Sequence, residues 1–173
     1  MPLINFISHI QSGKYKELVE RLREIYVQDN LNTVFDVQRR VIPRLSIAGN
    51  FKSDNFNLEL ISYSQFLFFE IQYLHPREYE NVLAVLRTNP YVFAYFRNAI
   101  GYGICFIVKT DTAVENHRTV FRKAHRYFSS KLNTNRISKE GEDIHHLCLM
   151  SYDADAHINF AAIPMQYRKH IKF

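Results

Sequence analysis

Hydrophobic residues occur along this chain both in short continuous runs and at helical spacing. The densest run is Phe66–Leu74 (FLFFEIQYL), in which only Glu70 and Gln72 are polar. Nearly continuous apolar character over so short a stretch is typical of a strand buried on both faces in the middle of a sheet. Pro76 follows at a position that suits the first residue of a helix. We therefore expect a central strand here, followed directly by a helix.

A period of about 3.6 residues in the apolar pattern predicts four helices. They span Ser12–Tyr26 with Ser12 as N-cap, Leu31–Arg40, Pro76–Arg87 and Val114–Leu132. The last helix is the longest. Its apolar stripe includes His117, and its opposite face carries four cations: Arg118, Arg122, Lys123 and Arg126.

Alternating or apolar runs predict further strands between these helices. They are Pro43–Phe51, Asn57–Ser64, Tyr91–Phe96, Ile104–Lys109 and Leu147–Met150, with polar connections at Lys52–Asn55, Arg97–Gly103 and Asn133–Gly141. This order predicts an α+β fold with an antiparallel or mixed sheet and helices packed mainly on one face. We expect a single domain over residues 1–173, with a helical part at 1–41 and a loosely held basic tail at 166–173.

Composition narrows the class of protein. The chain carries 22 Lys and Arg against 17 Asp and Glu, and this net charge of +5 favours polyanionic partners. No apolar run approaches the roughly 18 residues of a membrane span, so no membrane partner is expected. Cys105 and Cys148 lie in apolar strand-like runs, which predicts buried thiols and a cytoplasmic location, although a disulfide between neighbouring strands stays open.

Three stretches resemble one known family. Residues 42–51 (IPRLSIAGNF), 91–108 with Gly101 and Gly103, and 141–159 (GEDIHHLCLMSYDADAHIN) resemble the VirE N-terminal domain. That domain is common at the N-terminus of helicase- and primase-like proteins of bacterial mobile genetic elements, and it is similar to archaeo-eukaryotic-type primases. The resemblance implies a primase-like, RRM-like core with a DNA-binding role in DNA replication. Its implied partners are single-stranded DNA or RNA, or a helicase or other replication protein.

The resemblance also implies site residues. In the primase-like pattern an acidic pair on the central strand and a third acid on a later strand bind Mg²⁺ or Mn²⁺, and a helix histidine helps to hold nucleotide phosphates. Glu70 would match the first acid, Gln72 the second, Asp143 the third and His117 the histidine. Because Gln72 is neutral, the acidic pair is degenerate. A packed core histidine and a paired core carboxylate are the structural alternatives for His117 and Glu70.

Other departures also argue against catalysis. Arg97–Gly101 replaces a Ser-Pro-Ser-Gly segment, which removes two hydroxyls that could meet phosphate, while His146 and Ala154 replace an arginine and a proline of the family. Asp153 and Asp155 have the spacing of turn residues that bond local backbone.

Three functional hypotheses follow. The first is a catalytically degraded primase-like domain that binds nucleic acid or nucleotide, or docks a replication partner. The second is an active metal-dependent nucleotidyl transferase that uses Glu70 and Asp143. The third is a protein-interaction module without a nucleic-acid role. For the first, the expected nucleic-acid-binding residues are Arg118, Arg122, Lys123, Arg126 and Lys109, although a solvated helix face would look the same in sequence.

Overall fold

The chain begins with a helix that the sequence pattern did not predict. The computed structural model describes residues 1–27, 40–54 and 57–166. Helix α1 spans Leu3–Ser12 and buries Phe6, Ile7 and Ile10, and Gly13 ends it with a left-handed φ of 74°. Helix α2 spans Lys16–Val27. The prediction of Ser12 as an N-cap is therefore wrong, because Ser12 closes α1 and the glycine separates the two helices.

The remaining elements alternate between strands and helices. They are β1 Arg44–Ser46, β2 Gly49–Asp54, β3 Asn57–Tyr63, β4 Phe66–Ile71, α3 Pro76–Thr88, β5 Val92–Arg97, β6 Ile104–Lys109, α4 His117–Lys131, β7 Leu147–Leu149 and β8 His157–Ile158. Short 3₁₀ turns lie at Val114–Asn116 and Glu140–Glu142. An antiparallel sheet has the order β4-β6-β5-β8, and two further antiparallel pairs are β2–β3 and β1–β7. The predicted α+β class is confirmed.

Both faces of the four-stranded sheet are buried. On one face, α3 and α4 pack against the side of β4 that carries Leu67, Phe69 and Ile71. On the opposite face, α1 and α2 pack against the side that carries Phe68. Alternate side chains of a strand point to opposite faces, so a sheet covered by helices on both faces needs apolar residues at every position. This explains why β5 and β6 read as continuous apolar runs.

The Phe66–Leu74 run does not form the central strand. Strand β4 lies at one end of the sheet, and β6, whose residues Ile104–Val108 are all buried, lies inside it. The outer edge of β4 is covered by the segment 137–141. Ile137 forms a bridge with Ile71, and the Ser138 N–H donates to the Glu70 carbonyl at 2.7 Å. The prediction of a central strand was wrong because a non-local segment covers this edge.

Other predicted boundaries shift by a few residues. The expected strand Pro43–Phe51 is divided into β1 and β2, and β2 continues through Lys52, where a polar turn was predicted. The predicted helix Leu31–Arg40 falls on residues 28–39 except for Arg40, and the predicted tail 166–173 falls on 167–173 except for Gln166. Both therefore lie almost wholly outside the described residues. None of the described helices has the length and apolar character needed to cross a membrane.

Candidate nucleic-acid interface

A groove runs between α4 and the segment that follows it. Its volume is about 760 Å³, and its walls are Phe121, Arg122, His125, Arg126 and Ser129 from the helix and Thr134, Asn135, Lys139 and Glu142 from the segment. A second, more open depression shares Ser129, Thr134 and Asn135 with it and adds Asn133 and Arg136. The two form one continuous surface along the helix.

Two histidines hold the walls of this groove in place. His117 is buried, and its Nε2 lies 3.0 Å from the Gly141 carbonyl oxygen, while the Nε2 of His125 lies 2.9 Å from the Ile137 carbonyl oxygen. The two residues are eight positions apart and therefore lie on one side of α4. Segment 137–141 is thus bonded to α4 on one side and to β4 on the other.

The backbone of this segment also packs tightly on β4. A Cβ atom on Gly141 would lie 2.1 Å from the Phe68 carbonyl oxygen and 2.9 Å from the Phe121 ring. No side chain fits at that distance, so glycine lets the segment lie against the strand. The groove wall is therefore a fixed part of the fold.

The net positive charge of the chain is concentrated in the stretch that contains α4 and the loop after it. Residues 117–139 contain seven Lys and Arg residues and no Asp or Glu. Since the entire chain has a net charge of +5, the remaining residues together carry −2. The seven cations are Arg118, Arg122, Lys123, Arg126, Lys131, Arg136 and Lys139. Clustering of cations on one helix and its following loop favours polyanionic partners.

One carboxylate lies inside this basic region. Glu142 Oε1 is 2.7 Å from Arg118 Nε and 2.6 Å from Arg122 Nη2. The hydrogen bond from Arg122 and the charges of both arginines lower the pKa of Glu142. Two arginine side chains thus converge on one anionic group, an arrangement that suits a phosphate as well as a carboxylate.

The residues predicted to contact nucleic acid lie on different surfaces of the domain. Arg122 and Arg126 line the groove, and Arg118 joins them through Glu142. Lys123 lies on the other side of α4, in a cleft with Tyr91 and Tyr127. Lys109 ends β6 opposite Phe66 and is not part of the groove.

The sequence pattern missed the second wall. Lys139 lines the groove and Arg136 the adjoining depression, yet both fall in a stretch read as a polar loop. Arg136 also forms an ion pair with Glu78 at the start of α3. The absence of acidic residues from 117 to 139 is the signal that could have identified both.

The predicted catalytic residues each have hydrogen-bond partners within the fold. Glu70 is half-buried, and its Oε1 accepts a hydrogen bond from Asn98 Nδ2 at 2.9 Å. Asn98 in turn accepts the N–H groups of Gly101 and Gly103, so the β5–β6 loop is built on this carboxylate–amide pair. Gln72 lies beyond the end of β4 and is exposed, so the expected acid-and-amide pair on one strand face is wrong.

Asp143 and His117 are hydrogen-bonded to residues outside the predicted catalytic set. Asp143 is exposed, and its Oδ1 accepts the backbone N–H and faces the Nδ1 of His145, at 2.9 and 3.0 Å. The backbone hydrogen bond from His145 lowers the pKa of Asp143. His117 uses both ring nitrogens, since its Nδ1 lies 2.8 Å from the Tyr63 hydroxyl. Within residues 1–27, 40–54 and 57–166, no group of three or more His, Cys, Asp or Glu side chains is placed to hold a metal ion.

Asp153 of the SYDAD stretch behaves as a turn residue, as its spacing predicted. Asp153 Oδ1 accepts the Asp155 N–H at 3.0 Å, and its Oδ2 accepts the Arg97 N–H at 2.7 Å. Arg23 of α2 closes the same region by donating to the carbonyls of Asn98, Ala99 and Tyr152. These contacts join the β5–β6 loop to the C-terminal part of the fold.

Comparison with known proteins places the chain in a family. Residues 36–157, more than two thirds of the chain, match the model of the family described as BT4734-like, N-terminal domain. No curated protein and no solved structure matches the chain. The chain therefore belongs to the BT4734-like N-terminal domain family.

Proposed function

We propose that this domain binds the phosphate backbone of single-stranded nucleic acid in the groove between α4 and segment 134–142. The observation that carries the proposal is the stretch 117–139, which has seven cations and no acids and which contributes Arg122, Arg126 and Lys139 to that groove. In this view the chain is a catalytically degraded primase-like domain of a mobile-element or replication-associated protein. The primase-like part rests on the resemblance to the VirE N-terminal domain.

The spacing of the helix cations supports a backbone-binding role. Arg118, Arg122 and Arg126 recur every four residues and therefore form one row, at intervals of about 6 Å. A single strand laid along α4 could place successive phosphates beside this row. Arg136 and Lys139 lie across the groove and could contact the same strand from the other side.

The positions of the acids support a binding role over nucleotidyl transfer. A metal site for phosphoryl transfer needs hard oxygen ligands that converge on one point. Here Glu70 orders the β5–β6 loop through Asn98, and Asp143 is bonded to His145. Template-dependent primer synthesis with Mg²⁺ or Mn²⁺ should therefore be absent. Robust product that Glu70→Ala abolishes would establish the enzyme hypothesis instead.

The test of the binding role is a fluorescence-anisotropy titration of a labelled single-stranded oligonucleotide across salt concentrations. Each phosphate contact releases condensed counterion, so log K should fall linearly with log salt at about −0.7 per contact. Three to five contacts from the groove cations would give a slope of about −2 to −3.5. Lack of binding at low salt would refute the proposal and favour the protein-interaction module.

A further inference from the structure

Three tyrosines form an aromatic patch at the end of the sheet. Tyr26 lies in the last turn of α2, Tyr73 follows β4 and Tyr102 lies in the β5–β6 loop. The Tyr26 and Tyr73 rings stack with centroids 6.4 Å apart and an interplanar angle of 28°, and their hydroxyls are 2.6 Å apart. The Tyr102 ring lies 5.7 Å from that of Tyr26. We call these residues the tyrosine patch.

The patch is open to solvent although its rings are held in place. Tyr73 is 51% exposed and Tyr102 is 45% exposed. The Leu74 N–H donates to the Tyr102 carbonyl at 2.7 Å, so the two loops that carry these rings are joined by backbone. Large aromatic surfaces that are both exposed and ordered are unusual in a surface that binds nothing.

The tyrosine patch lies beyond the Ile137 end of the basic groove. Segment 137–141 runs antiparallel to β4, from Gly141 beside Phe68 to Ile137 beside Ile71. Tyr73 is two residues beyond Ile71 and therefore at most about 7 Å further along the chain.

Contacts of Arg136 also connect the groove to the tyrosine patch. Arg136 is paired with Glu78, whose carboxylate accepts the His75 N–H at 2.8 Å. His75 is two residues from Tyr73. A strand that follows the cations of α4 past Arg136 thus arrives at the tyrosine patch.

We infer that the tyrosine patch is a stacking platform for unpaired bases of the single strand whose phosphates the groove binds. The inference rests on the proposed function and adds that bases, as well as phosphates, are contacted. Exposed aromatic rings next to a basic groove provide sequence-tolerant stacking, because every base has a π-face. Arg136 at the junction would hold the phosphate that precedes the stacked base.

The experiment compares two labelled single strands of equal length, one of thymidines and one with abasic sites throughout. The phosphate charge is the same in both, so the groove alone would bind them equally. Base–aromatic stacking is worth about 1–3 kcal/mol per base, so one stacked base should make the thymidine strand bind about 5- to 150-fold tighter. The double variant Tyr73→Ala/Tyr102→Ala should remove most of this ratio and keep binding of the abasic strand.

Two controls separate stacking from other effects. Tyr73→Phe keeps the ring and should preserve the ratio, whereas Phe160→Ala removes a 72% exposed aromatic outside the patch and should leave both affinities unchanged. Since the chain contains no Trp, Tyr73→Trp places a single tryptophan at the patch whose emission can be excited selectively. Its emission should be quenched by the thymidine strand and not by the abasic strand.

The possible outcomes distinguish the stacking inference from the groove proposal. Salt-dependent binding that is equal for the two strands, or a ratio unchanged in Tyr73→Ala/Tyr102→Ala, would overturn the stacking inference and leave the groove proposal standing. Binding of neither strand would overturn both claims. Binding of the thymidine strand alone, lost in the tyrosine double variant, would support the patch and contradict the groove.

Discussion

The His117 Nε2 atom lies 3.0 Å from the Gly141 carbonyl oxygen, and this contact fixes one wall of the basic groove to the other. A carbonyl can only accept, so Nε2 carries a proton, and in the neutral ring Nδ1 then accepts the Tyr63 hydroxyl. His117 is therefore a buried residue with both nitrogens satisfied. The same residue that the resemblance placed near nucleotide phosphates also holds a wall of the groove in place.

Removing these two bonds should destabilise the protein. In His117→Phe the Tyr63 hydroxyl and the Gly141 carbonyl lose their partner in a buried site, which should cost about 2–4 kcal/mol of unfolding free energy. Urea denaturation followed by circular dichroism measures this. His145→Phe, at an exposed position, is the matched control and should change little. A loss below about 0.5 kcal/mol in His117→Phe would contradict the structural role.

Stability should also depend on pH through His117. Burial lowers its pKa below the 6.5 of the unfolded chain, because removal from water disfavours the charged ring. Between the folded pKa and 6.5 the unfolded state binds more protons, so the unfolding free energy rises with pH there. Stability should therefore fall as pH drops below about 6.5. The difference between wild type and His117→Phe across pH isolates this contribution, and a difference that does not change with pH would contradict it.

The close approach of Gly141 to β4 predicts a second sensitive position. In Gly141→Ala the new Cβ would overlap the Phe68 carbonyl oxygen, so segment 137–141 must move away from the strand. We expect a loss of about 1–3 kcal/mol in the unfolding free energy and faster hydrogen exchange at Ser138, whose N–H bonds Glu70. Gly13→Ala tests a left-handed position far from the groove and should leave exchange at Ser138 unchanged.

The Glu142 carboxylate should act as an internal competitor for phosphate. It is bonded to Arg118 and Arg122 and neutralises part of the groove. Glu142→Gln should bind single strands severalfold more tightly at low salt, since one negative charge is removed beside the phosphates. Glu80→Gln, an exposed acid on α3, is the control and should have little effect. Weaker binding in Glu142→Gln would mean that the carboxylate positions the arginines for the ligand.

Local patterns in the sequence predicted most element types correctly. The helices α3 and α4 and the strands β3, β5 and β6 lie close to where apolar periodicity placed them, because that periodicity depends on neighbouring residues alone. Helix α1 was missed because no Ser, Thr, Asp or Asn precedes it as an N-cap signal. The position of β4 at the edge of the sheet could not be predicted, because the segment that covers it is about 70 residues away in sequence.

The candidate site was predicted only in part for a similar reason. The row Arg118, Arg122 and Arg126 follows from helical spacing, and the structure places it beside a groove. The opposite wall, which contains Lys139, depends on hydrogen bonds from His117 and His125 that no local pattern encodes. For Glu70 the resemblance implied a metal ligand and a paired core carboxylate stayed open, and no local pattern could identify its partner Asn98, which comes from the β5–β6 loop.

The most direct test of the binding proposal is the salt dependence of single-strand affinity in Arg122→Ala/Arg126→Ala. Both side chains are exposed, so the melting temperature should stay nearly unchanged. Loss of two phosphate contacts should flatten the slope of log K against log salt by about 1–1.5. The charge-matched control Lys14→Ala/Arg21→Ala, in the turn after α1 and on α2, should retain the wild-type slope. An unchanged slope and affinity in Arg122→Ala/Arg126→Ala would contradict the account and identify the row as a solvated helix face.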